Sequence, residues 1–189
     1  MVPRAGLNPE VLARAAAELA DEEGLEAVTV SGLARRVGVR PASLYSHVAG
    51  TTDLRLRVAL LALEETAALA ADAVAGRSGR DALVALADVH RDYARARPGC
   101  WAASQLRLPA ELVVGSAGPR HAELTRAVLR GYDVPPADEV AAVRLLGSVL
   151  RGYPSLELGG GFDHSEPDSE TTWRRALDAL DVLLRAWPR

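Results

Sequence analysis

Residues 29–48 of the chain read TVSGLARRVGVRPASLYSHV, and this stretch decides the fold. In its first half, Val30, Leu33, Ala34 and Val37 recur at the spacing that brings side chains to one face of an α-helix. Gly38 follows at a point where a sharp turn favours a positive φ angle. The first half therefore predicts a short helix over residues 30–37 that ends in a tight turn.

A second short helix is predicted from Pro41 to about His47. Val39, Leu44 and Val48 supply the apolar surface that packs against the first helix, whereas the outward-facing residues are serine, tyrosine and histidine. Two helices joined in this way expose the second one for insertion into the major groove of DNA. The alternative is a helical hairpin buried in a core, but the polar outward face and the flanking arginines argue against it. The stretch therefore predicts a helix-turn-helix.

The charges of the chain are distributed unevenly. The formal net charge of the 189 residues is −3, so nucleic-acid binding has to come from a local basic patch. Residues 31–60 contain five arginines against a single acid, Asp53. These arginines are Arg35, Arg36, Arg40, Arg55 and Arg57. A basic stretch on an acidic body favours a DNA-binding module over a membrane-surface protein.

Other classes of protein are disfavoured by what the sequence lacks. No continuous apolar run follows a basic start, and no apolar segment is long enough to span a bilayer. The single cysteine, Cys100, cannot form an internal disulfide, so we expect a cytoplasmic protein without a membrane partner. The four histidines lack metal-ligand spacing and no nucleophile motif occurs. We therefore expect no metal, no cofactor and no enzymatic activity.

The rest of the chain is predicted to be helical as well. Ala, Leu, Arg and Glu dominate the long segments, and strand-like alternation is nearly absent. The predicted fold is all-α with about nine helices, as a three-helix DNA-binding head at residues 1–50 and a helical-bundle body at residues 51–189. Helices are predicted at about 9–23, 30–37, 41–47, 53–74, 80–97, 100–106, 121–132, 137–158 and 169–187.

The residues Leu44-Tyr45-Ser46-His47 match a Leu-Tyr-x-His/Tyr signature that follows a Thr-apolar-x-x-apolar-Ala segment and a Gly-Val pair. In this pattern, residues 7–60 resemble the TetR family of transcriptional regulators. The resemblance implies base-edge contacts by Arg40, Pro41, Ala42 and Ser43. It implies phosphate contacts by Tyr45, by His47, and by the backbone and hydroxyl of Thr29. The lysine that usually opens the family's fourth helix is missing, so Thr51 or Arg55 is expected to replace its phosphate contact.

Residues 152–162 read GYPSLELGGGF and resemble the C-terminal domain of one TetR subgroup over about residues 80–187. Pro154 interrupts the pattern, and we expect a kink there. The resemblance implies that the last two long helices pair with those of a second copy. The residues expected at that seam, for which an intramolecular core is the alternative, are Val140, Val143, Leu146, Gly147, Leu150, Trp173, Leu177, Leu180 and Leu184.

An effector pocket is expected in the middle of the helical body. Its expected lining, for which ordinary core packing is the alternative, is Tyr93, Trp101, Leu106, His121, Leu145 and Tyr153. Such a lining suits a small, mostly apolar molecule. The sequence thus predicts a homodimeric repressor that this ligand releases from a double-stranded DNA operator by shifting the long helix at 53–74. A DNA-binding regulator without an effector and a helical enzyme are the two alternatives.

Overall fold

A computed structural model describes residues 8–188. Within that range the secondary structure is helical and contains no strand. The α-helices are α1 (Pro9–Glu23), α2 (Val30–Val37), α3 (Thr51–Val74), α4 (Gly79–Ala96), α5 (Pro98–Ser104), α6 (Ala110–Val113), α7 (Gly118–Leu129), α8 (Glu139–Leu158) and α9 (Ser169–Arg185). Short 3-10 helices lie at Leu25–Ala27, Pro41–Ser43 and Pro136–Asp138. The predicted all-α class is confirmed.

The chain forms two compact units. The first contains the described residues up to Glu65 together with Arg97–Ser116, and the second contains Thr66–Ala96 and the residues from Ala117 onward. In the first unit, α1 packs against α2 and α5. Its buried side chains include Leu12, Leu19, Leu33, Leu44, Val48, Leu54, Val58 and Trp101.

The second unit encloses a separate core. There, α4 packs against α7, α8 and α9, and α8 also packs against α7 and α9. The core side chains include Leu83, Leu86, Val128, Leu129, Leu146, Leu150, Trp173, Leu177 and Leu184. The helix α8 continues through Pro154, which is buried within it.

Local caps explain why α1 and α2 begin and end where they do. The side chain of Asn8 accepts a hydrogen bond of 2.9 Å from the amide of Val11, and Thr29 does the same for the amide of Gly32. Each bond satisfies an amide that has no partner inside its helix. Gly38 ends α2 in the left-handed region, with φ 72° and ψ 33°. These caps lie within three residues of the helix ends, so the sequence pattern is sufficient to place both helices.

Gly32 permits a close approach that the sequence pattern does not reveal. A Cβ atom built on this residue would lie 2.4 Å from the carbonyl oxygen of Ala27. Ala34 is a second small residue of α2 that is buried. The glycine therefore lets the first turn of α2 lie close to the 3-10 helix at Leu25–Ala27.

The segment at residues 41–47 is not the regular helix that the sequence predicts. In place of a regular helix from Pro41 to His47, a 3-10 helix covers Pro41–Ser43 and hydrogen-bonded turns continue to His47. The hydroxyl of Ser46 donates to the carbonyl of Ser43, which competes for the helical hydrogen-bond pattern. A segment this short gains little from helix propagation, and its shape depends on the packing of Leu44 and Val48. The short α6 is a further element that the sequence pattern does not predict.

Candidate nucleic-acid interface

The exposed side of residues 40–47 forms a tip on the first unit, which we call the reading turn. Leu44 and Val48 are buried and fix this turn to the core, with the amides of His47 and Val48 donating to the carbonyl of Leu44 at 2.8 and 3.0 Å. The residues predicted to approach base edges, Arg40, Pro41, Ala42 and Ser43, are all exposed. The reading turn thus offers its polar and small side chains to solvent while its two apolar residues hold it in place.

Of the residues predicted to hold phosphates, Tyr45 and His47 lie within this turn and Thr51 follows it. Tyr45 is 62% exposed, whereas His47 is half-buried. Thr51 is half-buried at the first position of α3, and the carboxylate of Asp53 accepts the Ala49 amide at 2.9 Å just ahead of it. Side chains on both sides of the turn therefore remain accessible to a DNA backbone.

Two of the residues predicted to contact phosphate also have hydrogen-bond partners within the chain. The backbone amide of Thr29 donates to the carbonyl of Ala27 at 2.8 Å, so only its hydroxyl proton is left for a phosphate. Arg55 donates through Nε to the carbonyl of Val28 at 3.1 Å and through a terminal nitrogen to the carboxylate of Glu26 at 2.9 Å. These bonds join the 3-10 helix at Leu25–Ala27 to α3, so a phosphate contact by Arg55 would have to compete with them. Thr51 remains as the expected substitute for the missing lysine.

Most of the basic stretch is neutralised within the chain. Arg36 makes a two-pronged contact of 2.7 and 2.8 Å with Glu22 and a further one of 3.1 Å with Glu18. Hydrogen bonds from Arg36 hold the pKa of Glu22 below its usual value. Arg57 pairs with Asp53 at 3.1 Å. The local excess of positive charge expected from the sequence is therefore largely balanced by carboxylates of α1 and α3.

Arg40 and Arg35 differ from the other arginines of this stretch. Arg35 approaches Glu23 only to 3.6 Å, and its side chain is 73% exposed. Among the described residues, no carboxylate lies within ion-pair distance of Arg40, which stands at the start of the reading turn. Of the arginines in this stretch, Arg40 is therefore the one at the tip whose charge no carboxylate of the described residues balances.

A joint between α1 and α5 lies in the same unit. The carboxylate of Asp21 accepts the backbone amide of Cys100 at 2.9 Å and the Nε–H of Arg97 at 2.5 Å. A Cβ atom on Gly99 would lie 2.0 Å from the carbonyl oxygen of Ala20, so only glycine allows this approach. Burial raises the pKa of the Cys100 thiol to about 11, which keeps the thiol protonated. The last turn of α1 is therefore fixed to the beginning of α5.

The predicted effector residues are divided between the two units. Trp101 is buried on α5 and Leu106 is half-buried after it, both in the first unit. In the second unit, Tyr93 is buried on α4, whereas His121 and Leu145 are half-buried on α7 and α8. That these residues line a pocket stays a prediction from the sequence.

One member of the expected pocket has structural partners of its own. The hydroxyl of Tyr153 donates to the carbonyl of Ser169 and shares a hydrogen bond with Thr172, both at 2.6 Å. Its ring lies 4.8 Å, centre to centre, from the rings of both Phe162 and Trp173. These contacts fasten the end of α8 to α9 and to the glycine-rich loop, so the Gly-aromatic-x-x-Leu-Glu…Gly-Gly-Phe pattern has a packing role.

A buried histidine lies near the expected pocket, and the sequence pattern does not single it out. His90 of α4 is in contact with the carbonyl of Leu86 through Nδ1 at 2.8 Å, and its ring lies 5.7 Å from that of His121. Burial lowers the pKa of His90 to about 4, so its ring is neutral at pH 7 and Nδ1 carries the proton that it donates to the carbonyl. The interior of the second unit thus contains a polar pair of rings between α4 and α7.

An ionic cluster centred on Arg91 is also absent from the sequence-based expectations. Arg91 is 2% exposed, and it donates to both carboxylate oxygens of Glu157 at 3.0 and 2.7 Å and to Glu170 at 2.5 Å. The Arg91 guanidinium lies 5.4 Å from the ring centre of Trp173. Hydrogen bonds from Arg91 lower the pKa of Glu157 to about 2. The cluster joins α4 to α8 and α9.

The seam predicted for the dimer is largely inside the second unit. Six of its nine residues are buried in the chain itself and have no surface to offer a second copy; they are Leu146, Leu150, Trp173, Leu177, Leu180 and Leu184. Val140 is exposed, and Val143 and Gly147 are half-buried. Apolar side chains exposed on α9 are instead Val182 and Leu183. The two helices lie where the sequence predicts them, but their apolar faces point mostly into the core.

Within residues 8–188, no three His, Cys, Asp or Glu side chains come together in a way that could hold a metal ion. In the same range, no helix has both the length and the apolar character that crossing a bilayer requires.

Comparison with known proteins identifies the chain's family. A family model described as bacterial regulatory proteins, tetR family, matches residues 12–58, and one described as tetracyclin repressor-like, C-terminal domain, matches residues 83–180. The uncharacterized HTH-type transcriptional regulator YobS of Bacillus subtilis (strain 168) is 30% identical over 166 residues, which cover 88% of this chain and 87% of YobS. The uncharacterized HTH-type transcriptional regulator Rv0681 of Mycobacterium tuberculosis is 30% identical over 175 residues, which cover 89% of this chain and 78% of Rv0681.

A solved structure supports the same fold. A single-substitution variant of TetR from Acinetobacter baumannii AYE, in complex with minocycline, superposes with a TM-score of 0.73 at 21% identity, covering 97% of this chain and 100% of that one. The family models confirm both resemblances found in the sequence, at the helix-turn-helix and in the C-terminal body. The chain belongs to the TetR family and is a DNA-binding transcriptional regulator.

Proposed function

We propose that this regulator is a cytoplasmic homodimeric repressor that binds its operator through the reading turn. It dissociates from the operator when a small, mostly apolar molecule binds to the protein. The observation that carries the proposal is the concentration of exposed polar side chains and uncompensated charge at residues 40–47, beside α2. Arg40, Pro41, Ala42 and Ser43 then face base edges, while Tyr45, His47, Thr51 and the Thr29 hydroxyl face phosphates. Residues 1–50 act as the DNA-binding domain and residues 51–189 as the effector and dimerisation domain.

Dimerisation is supported by the outward faces of α8 and α9. Val140 on α8, and Val182 and Leu183 on α9, are large apolar side chains that the chain leaves 54%, 64% and 40% exposed. A Cβ atom on Gly147 would meet nothing within 4 Å, so the backbone of α8 is open to a closely packed helix. A second copy that covers these faces removes apolar surface from water, and it supplies the second reading turn that a two-fold operator requires.

Effector binding is supported by the fold shared with a structure that holds minocycline. The proposed lining within the second unit is Tyr93, His121, Leu145 and Tyr153, and the roles of Trp101 and Leu106 of the first unit stay predictions from the sequence. A ligand that binds there is expected to raise the melting temperature of the protein and to weaken its hold on DNA. Thermal unfolding of the chain with a panel of apolar compounds measures the first effect, and a panel without any stabilising compound would favour a regulator that needs no effector.

Removal of the proposed phosphate contacts tests the DNA-binding assignment. The double substitution Tyr45→Phe with His47→Ala takes away two hydrogen-bond donors to phosphate, each worth about 1.5–3 kcal/mol when its partner is charged. We expect operator affinity to fall at least about 10-fold, and by a similar factor on every DNA sequence, because phosphates carry no sequence information. Gel-shift titrations at several salt concentrations measure this change.

The matched control is His164→Ala, which removes an exposed histidine from the loop before α9. We expect this variant to bind DNA as the parent chain does. If the double variant keeps the parent's affinity and salt dependence, then Tyr45 and His47 do not contact phosphates.

A further inference from the structure

The arginines of the basic stretch are not equivalent, although the sequence alone presents them alike. Arg36, Arg55 and Arg57 have carboxylate partners within 3.1 Å, at Glu22, Glu26 and Asp53. The guanidinium of Arg36 joins α2 to α1 and that of Arg55 joins α3 to the 3-10 helix at Leu25–Ala27, whereas Arg57 pairs within α3. Only Arg35 and Arg40 remain available to a ligand with their charge largely uncompensated.

The positions of these two arginines differ. Arg35 belongs to the last turn of α2, before the left-handed Gly38. Arg40 occupies the N-cap position of the 3-10 helix in the reading turn, with an extended backbone at φ −76° and ψ 141°. Pro41 restricts Arg40 to this conformation, because the proline ring disfavours helical geometry in the residue before it. The direction in which Arg40 leaves the backbone is therefore preset before DNA arrives.

The residues next to Arg40 are small enough for its side chain to extend into a DNA groove. Pro41, Ala42 and Ser43 are short and exposed, so they allow the backbone of the turn to come close to the floor of a groove. A guanidinium there can place two parallel N–H donors against the O6 and N7 acceptors of guanine, the commonest base-specific contact in the major groove. None of the three short side chains can form such a two-pronged contact.

We propose that Arg40 reads a guanine through its major-groove edge at one fixed position of each operator half-site, whereas Arg35 serves only the DNA backbone. This inference rests on the proposed function and deepens it. It makes Arg40 the main determinant of sequence specificity in the reading turn. A phosphate contact by Arg40 is the competing assignment, and the two predict different dependence on the DNA sequence.

The test uses the full-length protein and operator sites selected from random DNA. Each guanine of a selected half-site is replaced in turn by 7-deazaguanine, which keeps base pairing but lacks the N7 acceptor. We expect one position at which the parent chain loses at least about 5-fold in affinity, the lower end for a two-pronged base contact, because the O6 acceptor remains. Arg40→Ala is expected to bind the unmodified site more weakly and to lose nothing further at that position.

Two control variants separate the assignments. Arg35→Ala is expected to weaken binding to all sequences alike and to keep the full response to 7-deazaguanine. Arg40→Lys keeps the charge but not the planar fork, so we expect it to retain the salt dependence of binding and to lose the discrimination. Thermal unfolding of each variant checks that the substitutions at the exposed positions 35 and 40 do not affect folding.

Two results would overturn the inference. One is tolerance of 7-deazaguanine at every position, and the other is an equal penalty in the parent chain and in Arg40→Ala. Either result, with sequence-specific binding intact, leaves an operator-binding regulator standing and excludes Arg40 as the residue that reads the guanine. Failure of the parent chain to enrich any sequence would instead contradict the proposed function itself.

Discussion

A chain with methionine in place of Arg91 is expected to unfold with a free energy about 3–5 kcal/mol lower than that of the parent chain. Arg91 is 2% exposed and lies between Glu157 and Glu170, with Glu157 itself largely buried. Removal of one partner from a buried ion pair leaves the other charge without compensation in a place that water reaches poorly. Denaturant-induced unfolding, followed by circular dichroism, measures the difference.

The matched control for this substitution is Arg95→Met. Arg95 lies one turn further along α4 and also contacts Glu157 at 2.8 Å, but its side chain is 44% exposed. Because exposed ion pairs contribute little, we expect a loss of at most about 1 kcal/mol. Equal losses in the two variants would show that burial of Arg91 does not set the strength of the cluster.

The same cluster predicts a dependence of stability on pH. The pKa of Glu157 is about 2 in the folded chain, below its ordinary value of 4.5, because Arg91 donates hydrogen bonds to it. The ionised carboxylate therefore stabilises the fold above pH 4.5, and this contribution is lost as the pH falls toward 2. We expect Arg91→Met to lose the part of the pH dependence that Glu157 contributes in this window.

The second large effect is expected at the proposed dimer face. Val182→Glu places a carboxylate on the outward side of α9, at a residue that is 64% exposed in the single chain. Two copies related by a two-fold axis would then bury two like charges in an apolar seam. We expect a folded monomer whose operator affinity is at least about 100-fold lower, because the second half-site no longer adds its avidity.

Sedimentation and operator titration measure these two quantities. Val114→Glu is the matched control, since Val114 is 84% exposed and lies in the first unit rather than on α9. It is expected to remain dimeric and to bind DNA as the parent chain does. A Val182→Glu chain that still sediments as a dimer would place the interface elsewhere.

The sequence is sufficient to predict the elements that depend on local chemistry. Asn8, Thr29 and Gly38 cap or end helices through groups within three or four residues of them, so their effect is visible in the residue order. The reading turn lies where the sequence predicts it but differs in geometry. Its shape depends on how Leu44 and Val48 pack into the core, which is a tertiary property.

The ionic partners could not be predicted, because they lie far apart in the sequence. Cys100 and Asp21 are 79 residues apart, and so are Arg91 and Glu170. Helix periodicity identifies an apolar face such as that of Leu177 and Leu184, but it does not say whether the chain's own core or a second copy covers that face. In this protein the core covers most of it, and the outward residues Val182 and Leu183 are the ones left for a partner.

The central claim is that two copies of the reading turn bind one two-fold DNA site. Hydroxyl-radical footprinting of the purified protein, on sites selected from random DNA, tests it most directly. We expect two protected half-sites of inverted sequence, with centres one helical turn, roughly 10 base pairs, or a multiple of it apart. Protection without sequence preference, or a single half-site protected with full affinity, would contradict the claim.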